Sequence, residues 1–463
     1  MRLKLEGSRM LVLGLGETGW SMTRWLARHG ARVRVLDSRA DAPHARDLRE
    51  RLPQVEVGTG PFDRGALGDA DAVAVSPGVD RREPLVAEAL ARGLPVVGDV
   101  ELFAQALADR RTEGAAPAVL GITGSNGKST VTAMAGDICK AAGRRTVVAG
   151  NIGLPVLDAW SEIEDGAALP DVFVLELSSF QLESTDTLEP AAATMLNLSE
   201  DHMDRYAGMA DYAAAKARIF AGSGVQVLNR DDAWSMRMRR PAGDCVTFGL
   251  TPAPGPGDWG VTDGARPALC RGARTLMPAD ALPVAGMHNA ANALAALALT
   301  DAIGVPVESA LEALRRFRGL PHRVEKVAEI RGVVFYDDSK GTNVGSTVAA
   351  LRGMRQPVVL IAGGDGKGQD FAPLAPAVAE RAKAVVLIGR DAPIIRRALV
   401  GSGVPLLDAA DMPQAVHRAY GASGAGDAVL LSPACASFDM FSNYVHRAQV
   451  YVAAVQDLAR REA

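Results

Sequence analysis

One segment of the sequence specifies a chemistry by residue type and order alone: GITGSNGKST at 121–130. It follows the apolar run Ala118-Val119-Leu120 and leads into an Ala/Met-rich stretch, the strand–loop–helix setting that a phosphate loop requires. Gly124, Ser125, Asn126 and Gly127 let backbone amides wrap phosphate oxygens, and the helix N-terminus behind them adds a favourable dipole. Lys128 is spaced to reach β- and γ-phosphates, and Ser129, ahead of Thr130, to offer its hydroxyl to Mg²⁺.

Other segments add groups of the right kind. Glu176 closes the apolar run VFVLE, and an acid one or two strands beyond a phosphate loop can coordinate metal or order a water. NLSEDHMDR (197–205) gathers four potential metal or polar ligands, among them His202, whose neutral imidazole suits a divalent metal. Lys216 stands in the helical run YAAAKARI, and its spacing alone predicts a solvated helix lysine. DDSKGTN (337–343), GGDGK (363–367) and SPACASFD (432–439) each follow a strand of the parallel type, where open α/β sheets bind ligands. Lys340, Lys367 and the hydroxyls beside them suggest an anionic substrate. Near the start, GLGETG (14–19) between strand and helix, with Asp37 ending the next strand, is a GxGxxG that fits NAD or another nucleotide diphosphate.

These loops need sheets to hold them. Short apolar runs alternate with Ala-rich helical stretches almost throughout, which predicts parallel sheets covered on both faces. Strands are expected at 10–15, 33–37, 72–76 and 95–98; then at 119–123, 146–149, 172–177, 194–198 and 225–229; then at 333–336, 358–362, 384–388 and 428–431. The stretch 108–117 reads as a linker, and 241–283, rich in Pro and Gly and lacking the rhythm, as an irregular or small β insertion. The expected architecture is three α/β domains: a Rossmann-like domain over 1–105, a central P-loop ATPase-type parallel-sheet domain over 106–320, and a Rossmann-like domain over 321–463.

Composition narrows the partners. The 463 residues carry 50 basic and 54 acidic side chains, a net charge of −4, so no basic excess asks for nucleic acid or an anionic membrane. No apolar run is long enough to span a bilayer. The start, MRLKLEG, does not read as a secretory signal, and four scattered cysteines fit a reducing cytoplasm. Only eight of the 50 basic residues are lysine, and four of those, Lys128, Lys216, Lys340 and Lys367, lie in the segments just described. Where bare charge suffices this chain uses arginine, so each lysine is informative as a compact ammonium or an amine.

Taken together the motifs resemble the Mur ligases of bacterial peptidoglycan synthesis along nearly the whole chain. The carriers are GLGETGWS (14–21), SPG (76–78), GITGSNGKST (121–130), GNIG (150–153), LELSSFQLE (175–183), NLSEDHMDRY (197–206), HNAANALAA (288–296), GLPHRVE (319–325), DDSKGTN (337–343), GGDGKG (363–368) and LSPACASFDMF (431–441). The resemblance implies an ATP-dependent ligase that joins glutamate to UDP-N-acetylmuramoyl-L-alanine through an acyl phosphate. It implies ATP and two Mg²⁺ sites, with Lys128 and Ser129 on the phosphates and the first metal. Glu176 and His202 would ligate the second, and Lys216 would be carbamylated, a metal-supporting carboxylate analogue rather than a solvated cation. Asn292, Arg323 and Asp338 match ATP contacts. Glu17, Thr18, Asp37, Ser38, Arg39, Ser76, Gly78 and Asn151 match the UDP-sugar side. Lys340, Thr342, Lys367, Ser437, Phe438 and Tyr444 fall at the amino-acid site. A cytoplasmic monomer acting on small molecules is expected.

Three positions depart from the family pattern: Gly341 where Ala is usual, Phe438 where Leu is usual, and Tyr444 where Phe is usual. All surround the incoming amino acid, and the family includes enzymes for L-glutamate; the remaining motifs favour the D-isomer. Two other classes account for less. An NAD-dependent dehydrogenase would leave the phosphate loop idle, and a P-loop motor or switch would leave the third block unused.

Overall fold

The computed structural model describes every residue except Met1, Glu113, Ala115, Ala285 and Ala463. It forms two compact units, each built from separated stretches of chain. The first comprises Met1–Leu196, Tyr212–Phe248 and Ala295–Ala313; the second comprises Asn197–Asp211, Gly249–Leu294 and Leu314–Ala463.

The first unit holds two parallel sheets. One runs Glu56–Thr59, Arg32–Asp37, Arg9–Leu13, Ala72–Val75, Val96–Val97, the strand order 3-2-1-4-5 of a doubly wound fold. Its order reverses between Arg9–Leu13 and Ala72–Val75, and the loops leaving those two strands are GLGETG and SPG. In the other, Ala118–Thr123 pairs in parallel with Val172–Glu176, Gly121 opposite Leu175 and Ile122 opposite Glu176. The phosphate loop and Glu176 therefore leave the same end of adjacent strands. VFVLE is buried along its whole length, as a strand covered on both faces must be.

The second unit's main sheet has the order Glu325–Ile330, Val333–Asp337, Ala428–Leu431, Val358–Gly363, Ala382–Ile388, Leu406–Asp408, parallel except for the first strand. Along Val358–Gly363 the side chains alternate between two cores: Val358, Leu360 and Ala362 join one, Val359 and Ile361 the other. Helix Tyr444–Glu462 covers the second of these with Tyr451, Val455 and Leu458. The three central strands deliver DDSKGTN, SPACASFD and GGDGK side by side.

All thirteen expected strands exist. The stretch 241–283 is the expected β insertion, with Trp259–Val261, Ala268–Arg271 and Arg274–Pro278 antiparallel to one another. Among the described residues three further strands were not expected, Glu56–Thr59, Glu325–Ile330 and Leu406–Asp408; in the first two, charged residues break the apolar pattern. The linker expected at 108–117 is corrected: helix Asp99–Thr112 runs through its first half, since Ala108-Asp109-Arg110-Arg111 continue a helix without a breaker. Two of the linker positions, Glu113 and Ala115, lie outside the described residues. Among the described residues no helix is long and apolar enough to cross a membrane, and all four cysteines are free.

Candidate functional site

In the first unit the chemistry gathers where Ala118–Thr123 gives way to helix Lys128–Ala141. Gly124 (φ +150°) and Gly127 (φ +85°) adopt backbone conformations that side chains disfavour, so the turn depends on glycine at both positions. The Lys128 ammonium donates to the carbonyls of Gly124 (2.8 Å) and Ser125 (2.9 Å). Ser129 and Thr130 are buried in the first helical turn.

Lys216 is fully buried, which corrects the solvated lysine that spacing predicted; the apolar helix face Tyr212, Ala213, Ala215 carries it inward. Its amine donates to Gly124 O (2.9 Å) and Thr123 Oγ1 (3.2 Å) and lies 4.8 Å from the centre of the Tyr212 ring. Two lysines thus converge on one carbonyl of the phosphate loop. The Thr123 hydroxyl also donates to Leu177 O (2.7 Å), tying this loop to the end of the strand that carries Glu176.

Glu176 is 1% exposed. One carboxylate oxygen accepts from Asn151 Nδ2 at 2.7 Å; the other, Oε2, is buried with no hydrogen-bond partner. A buried carboxylate oxygen left unpaired costs free energy unless a cation or donor satisfies it, so this atom fits a divalent metal. Gly150, at φ +110°, lets the backbone pass there, because a Cβ would stand 2.3 Å from Glu176 O. Asn151, assigned to the sugar side, is the residue that orients Glu176.

At the amino-terminal loop, Gly14 (φ +88°) lies over Ser76, and a Cβ on Gly19 would meet Gly14 O at 1.8 Å. Asp37 clamps this loop by accepting from Leu15 N (2.7 Å), while Arg39 binds both of its oxygens (2.8 and 2.6 Å). The Arg39 contact holds the Asp37 carboxyl down at about 2. Glu17 is exposed and meets His44 Nε2 at 3.1 Å; Ser38, Arg39 and Gly78 are exposed and Thr18 half-buried.

The second unit brings together three loops at adjacent strand ends. Among the described residues six non-glycine positions have φ in the left-handed region, and five of them, His202, His322, Val324, Lys367 and Ala434, lie in the motif loops. Such strain concentrates at functional sites. Asp338 is buried and accepts from Ser432 Oγ (2.7 Å); burial pushes its carboxyl up to about 7, against the pull of the Arg323 charge. Lys367 forms an ion pair with Asp201, whose other oxygen accepts from Asn343 Nδ2 at 3.3 Å and lies 3.6 Å from His202 Nε2. The Lys340 ammonium lies 4.0 Å from the centre of the Tyr444 ring, so the aromatic face at this position carries a cation. Ser437 is buried, Thr342 half-buried and Phe438 74% exposed. Asn292 donates to Asn289 Oδ1 at 3.2 Å.

The departure at 341 has a steric cause. A Cβ there would stand 2.6 Å from Asp338 Oδ2 and 2.8 Å from Ser432 Oγ, so the Asp338–Ser432 hydrogen bond in this arrangement leaves room only for glycine.

One organising residue escaped the sequence reading. Arg447 is 1% exposed and donates to Ser339 Oγ (3.0 Å), Ser339 O (2.7 Å), Cys435 O (3.0 Å) and Ala436 O (3.3 Å). It fastens DDSKGTN to SPACASFD. Its signal was present: Arg447, Tyr451, Val455 and Leu458 form one helical stripe, and an arginine in an apolar stripe is a buried one. Burial lowers its guanidinium to about 10.

Comparison with known proteins gives matches along the chain. Residues 8–98 match the Mur ligase MurD-like N-terminal domain, 122–300 the Mur ligase middle domain, and 322–435 the Mur ligase glutamate ligase domain. The UDP-N-acetylmuramoylalanine–D-glutamate ligase of Thiobacillus denitrificans is 60% identical, covering 100% of this chain and 98% of its own. The protein of the same description from Methylobacillus flagellatus is 57% identical over 99% of each chain. Among solved structures, the UDP-N-acetylmuramate–alanine ligase of Thermotoga maritima shares the fold at a TM-score of 0.61, with 19% identity over 97% of this chain and 99% of that one.

Proposed function

The chain belongs to the Mur ligase family, and from that membership we propose that it adds D-glutamate to UDP-N-acetylmuramoyl-L-alanine at the expense of ATP, in cytoplasmic synthesis of the peptidoglycan precursor. The observation that supports this best is the pair of lysines, Lys128 and Lys216, converging on the Gly124 carbonyl in a chain that relatives of that description match from end to end.

Two anionic reactants and a triphosphate must meet, so charge has to be offset before any bond forms. Lys128 and the amides of 124–130 take the phosphates, with Asn292, Arg323 and Asp338 on the nucleotide. The muramoyl-alanine carboxylate then attacks the γ-phosphorus, giving an acyl phosphate and ADP. The glutamate amine attacks that carbonyl carbon, loses a proton, and expels phosphate as the amide forms. Mg²⁺ would supply positive charge to offset that of the anionic reactants. Ser129 would hold one such ion; Glu176, through the oxygen that has no protein partner, and His202 are assigned to a second. Lys216 is assigned a carbamate, formed when its amine, having given up the ammonium proton, bonds to the carbon of CO₂ and releases a second proton to solvent, which would convert a buried cation beside the phosphate loop into an anion that supports metal.

The UDP-sugar is assigned to Glu17, Thr18, Asp37, Ser38, Arg39, Ser76, Gly78 and Asn151. Of these, Asp37 and Asn151 act through neighbours: one clamps the glycine loop and the other orients Glu176. Glutamate is assigned to Lys367, Thr342, Ser437 and Phe438, with Lys340 and Tyr444 as a stacked cation and wall. A monomer is sufficient for this chemistry.

The test is isotopic. With ¹⁸O in the muramoyl-alanine carboxylate, one label should appear in the released phosphate, because the acyl-phosphate bridging oxygen leaves with phosphorus. Phosphate free of label would exclude carboxylate activation.

A further inference from the structure

Lys367 and Asp201 are both largely sequestered, with side chains 15% and 9% exposed. Lys367 holds a left-handed backbone (φ +53°), fixed by its N–H donating to Asp365 Oδ1 at 3.0 Å, and the effect is to aim its ammonium at Asp201. The acidic loop is also tied down next door, where Glu200 Oε2 accepts from Asp370 N at 3.0 Å. A buried lysine thus already has a carboxylate.

That carboxylate does not depend on Lys367 alone. Its other oxygen accepts from Asn343 Nδ2 and lies 3.6 Å from His202 Nε2. A buried charge whose one partner is taken away is costly, unless other partners remain. Asp201 has them. Lys367, conversely, can be satisfied by any carboxylate placed where Asp201 now reaches.

We propose that Asp201 is an internal stand-in for the substrate's carboxylate, and that glutamate binds by exchange: its side-chain carboxylate takes the Lys367 ammonium while Asp201 keeps Asn343 and turns to His202. This rests on the assignment of Lys367 to glutamate. The exchange makes Asp201 a specificity determinant. A ligand without a second carboxylate has nothing to give Lys367 in return for Asp201, so D-glutamine is rejected by the same device that admits D-glutamate. It also sets the affinity low, since the incoming anion competes with one already in place.

The test is equilibrium dialysis of labelled D-glutamate against the full chain saturated with UDP-N-acetylmuramoyl-L-alanine, using wild type, Asp201→Asn, Asp201→Ser and Lys367→Ala, each checked for a cooperative thermal transition. Asp201→Asn keeps the shape and removes the competing charge; Asp201→Ser does so with a smaller side chain should the amide disturb folding. Both should bind D-glutamate about tenfold more tightly than wild type, with the rejection of D-glutamine relaxed, and Lys367→Ala should bind D-glutamate at least about tenfold more weakly. A residue serving only to hold the loop would not tighten binding when removed. If the Asp201 variants bind D-glutamate as wild type does, or less well, while Lys367→Ala is weakened, the exchange is wrong and the Lys367 assignment stands. If Lys367→Ala binds as wild type does, that assignment fails and takes the exchange with it.

Discussion

Lys128 and Lys216 donate to the same carbonyl, yet different roles are assigned to them, and substitution separates the two. Lys128 is assigned as a point charge on the phosphates. Lys128→Ala should lower kcat by at least about a hundredfold, about 2.7 kcal/mol of barrier, with the thermal midpoint little changed. Lys128→Arg should recover little of this, because a planar fork does not fill the place of a compact ammonium in a tight loop. Retention of a tenth of the activity by either variant would remove the phosphate loop from the mechanism. Lys216 is assigned a carbamate, so Lys216→Ala should regain activity with added short-chain carboxylic acids; rescue by amines instead would show that it works as a cation. Spacing placed Lys216 on a solvated face, and that error is instructive. In an Ala-rich run only Tyr212 and Ile219 mark the inner side of the helical period, too sparse a signal to outweigh a charged side chain, and the buried face is settled by tertiary packing against Thr123 and Gly124. Glu176 was legible because it ends an unbroken apolar strand; that one of its oxygens lacks a protein partner was not.

Elements decide how the loops of the second unit meet, and Arg447 does so from the first turn of a nineteen-residue helix. Arg447→Met should cost about 1–3 kcal/mol of stability, because it leaves buried acceptors on both loops without a donor, and Arg447→Lys should restore little, since one ammonium cannot reach acceptors on both loops. Denaturant unfolding of the two variants measures this; a loss under about 1 kcal/mol for Arg447→Met would show that the loops hold themselves. Gly341→Ala tests the same packing from the other side. Its Cβ would force Asp338 or Ser432 to move, and a loss of about 1–3 kcal/mol is expected. The strands that shape these loops were readable as apolar runs. Those missed, such as Glu56–Thr59 and Glu325–Ile330, lie at sheet edges and carry charges, so periodicity could not mark them. The glycine at 341 was visible as a departure from the family pattern, but its cause, an oxygen from each of two neighbouring loops, exists only in the folded chain.

At the scale of the whole molecule, each compact unit buries an acid away from its usual state. Burial pushes Asp99 in the first unit up to about 6, and Asp338 in the second up to about 7. An acid whose folded pKa exceeds its unfolded value of about 3.9 binds protons more tightly when folded, so stability falls as pH rises from about 4 to each folded value and is flat above it. Asp99→Asn and Asp338→Asn should each flatten part of that fall, and thermal unfolding between pH 4 and 8 measures it; an unchanged slope in both would mean that neither proton is held. Both acids escaped the sequence as titrating groups, because an aspartate at a helix start or strand end is ordinarily solvated. What the sequence did make legible was the order of motifs along the chain, and so the reaction. That reaction has one direct measurement: phosphate release and amide product from wild type with ATP, Mg²⁺ and UDP-N-acetylmuramoyl-L-alanine, given D-glutamate, L-glutamate or neither, in parallel. Stoichiometric phosphate and amide with D-glutamate, and little of either with L-glutamate or without an amino acid, is the expected result. Equal or faster turnover with L-glutamate, or phosphate release that ignores the acceptor and the amino acid, would contradict it.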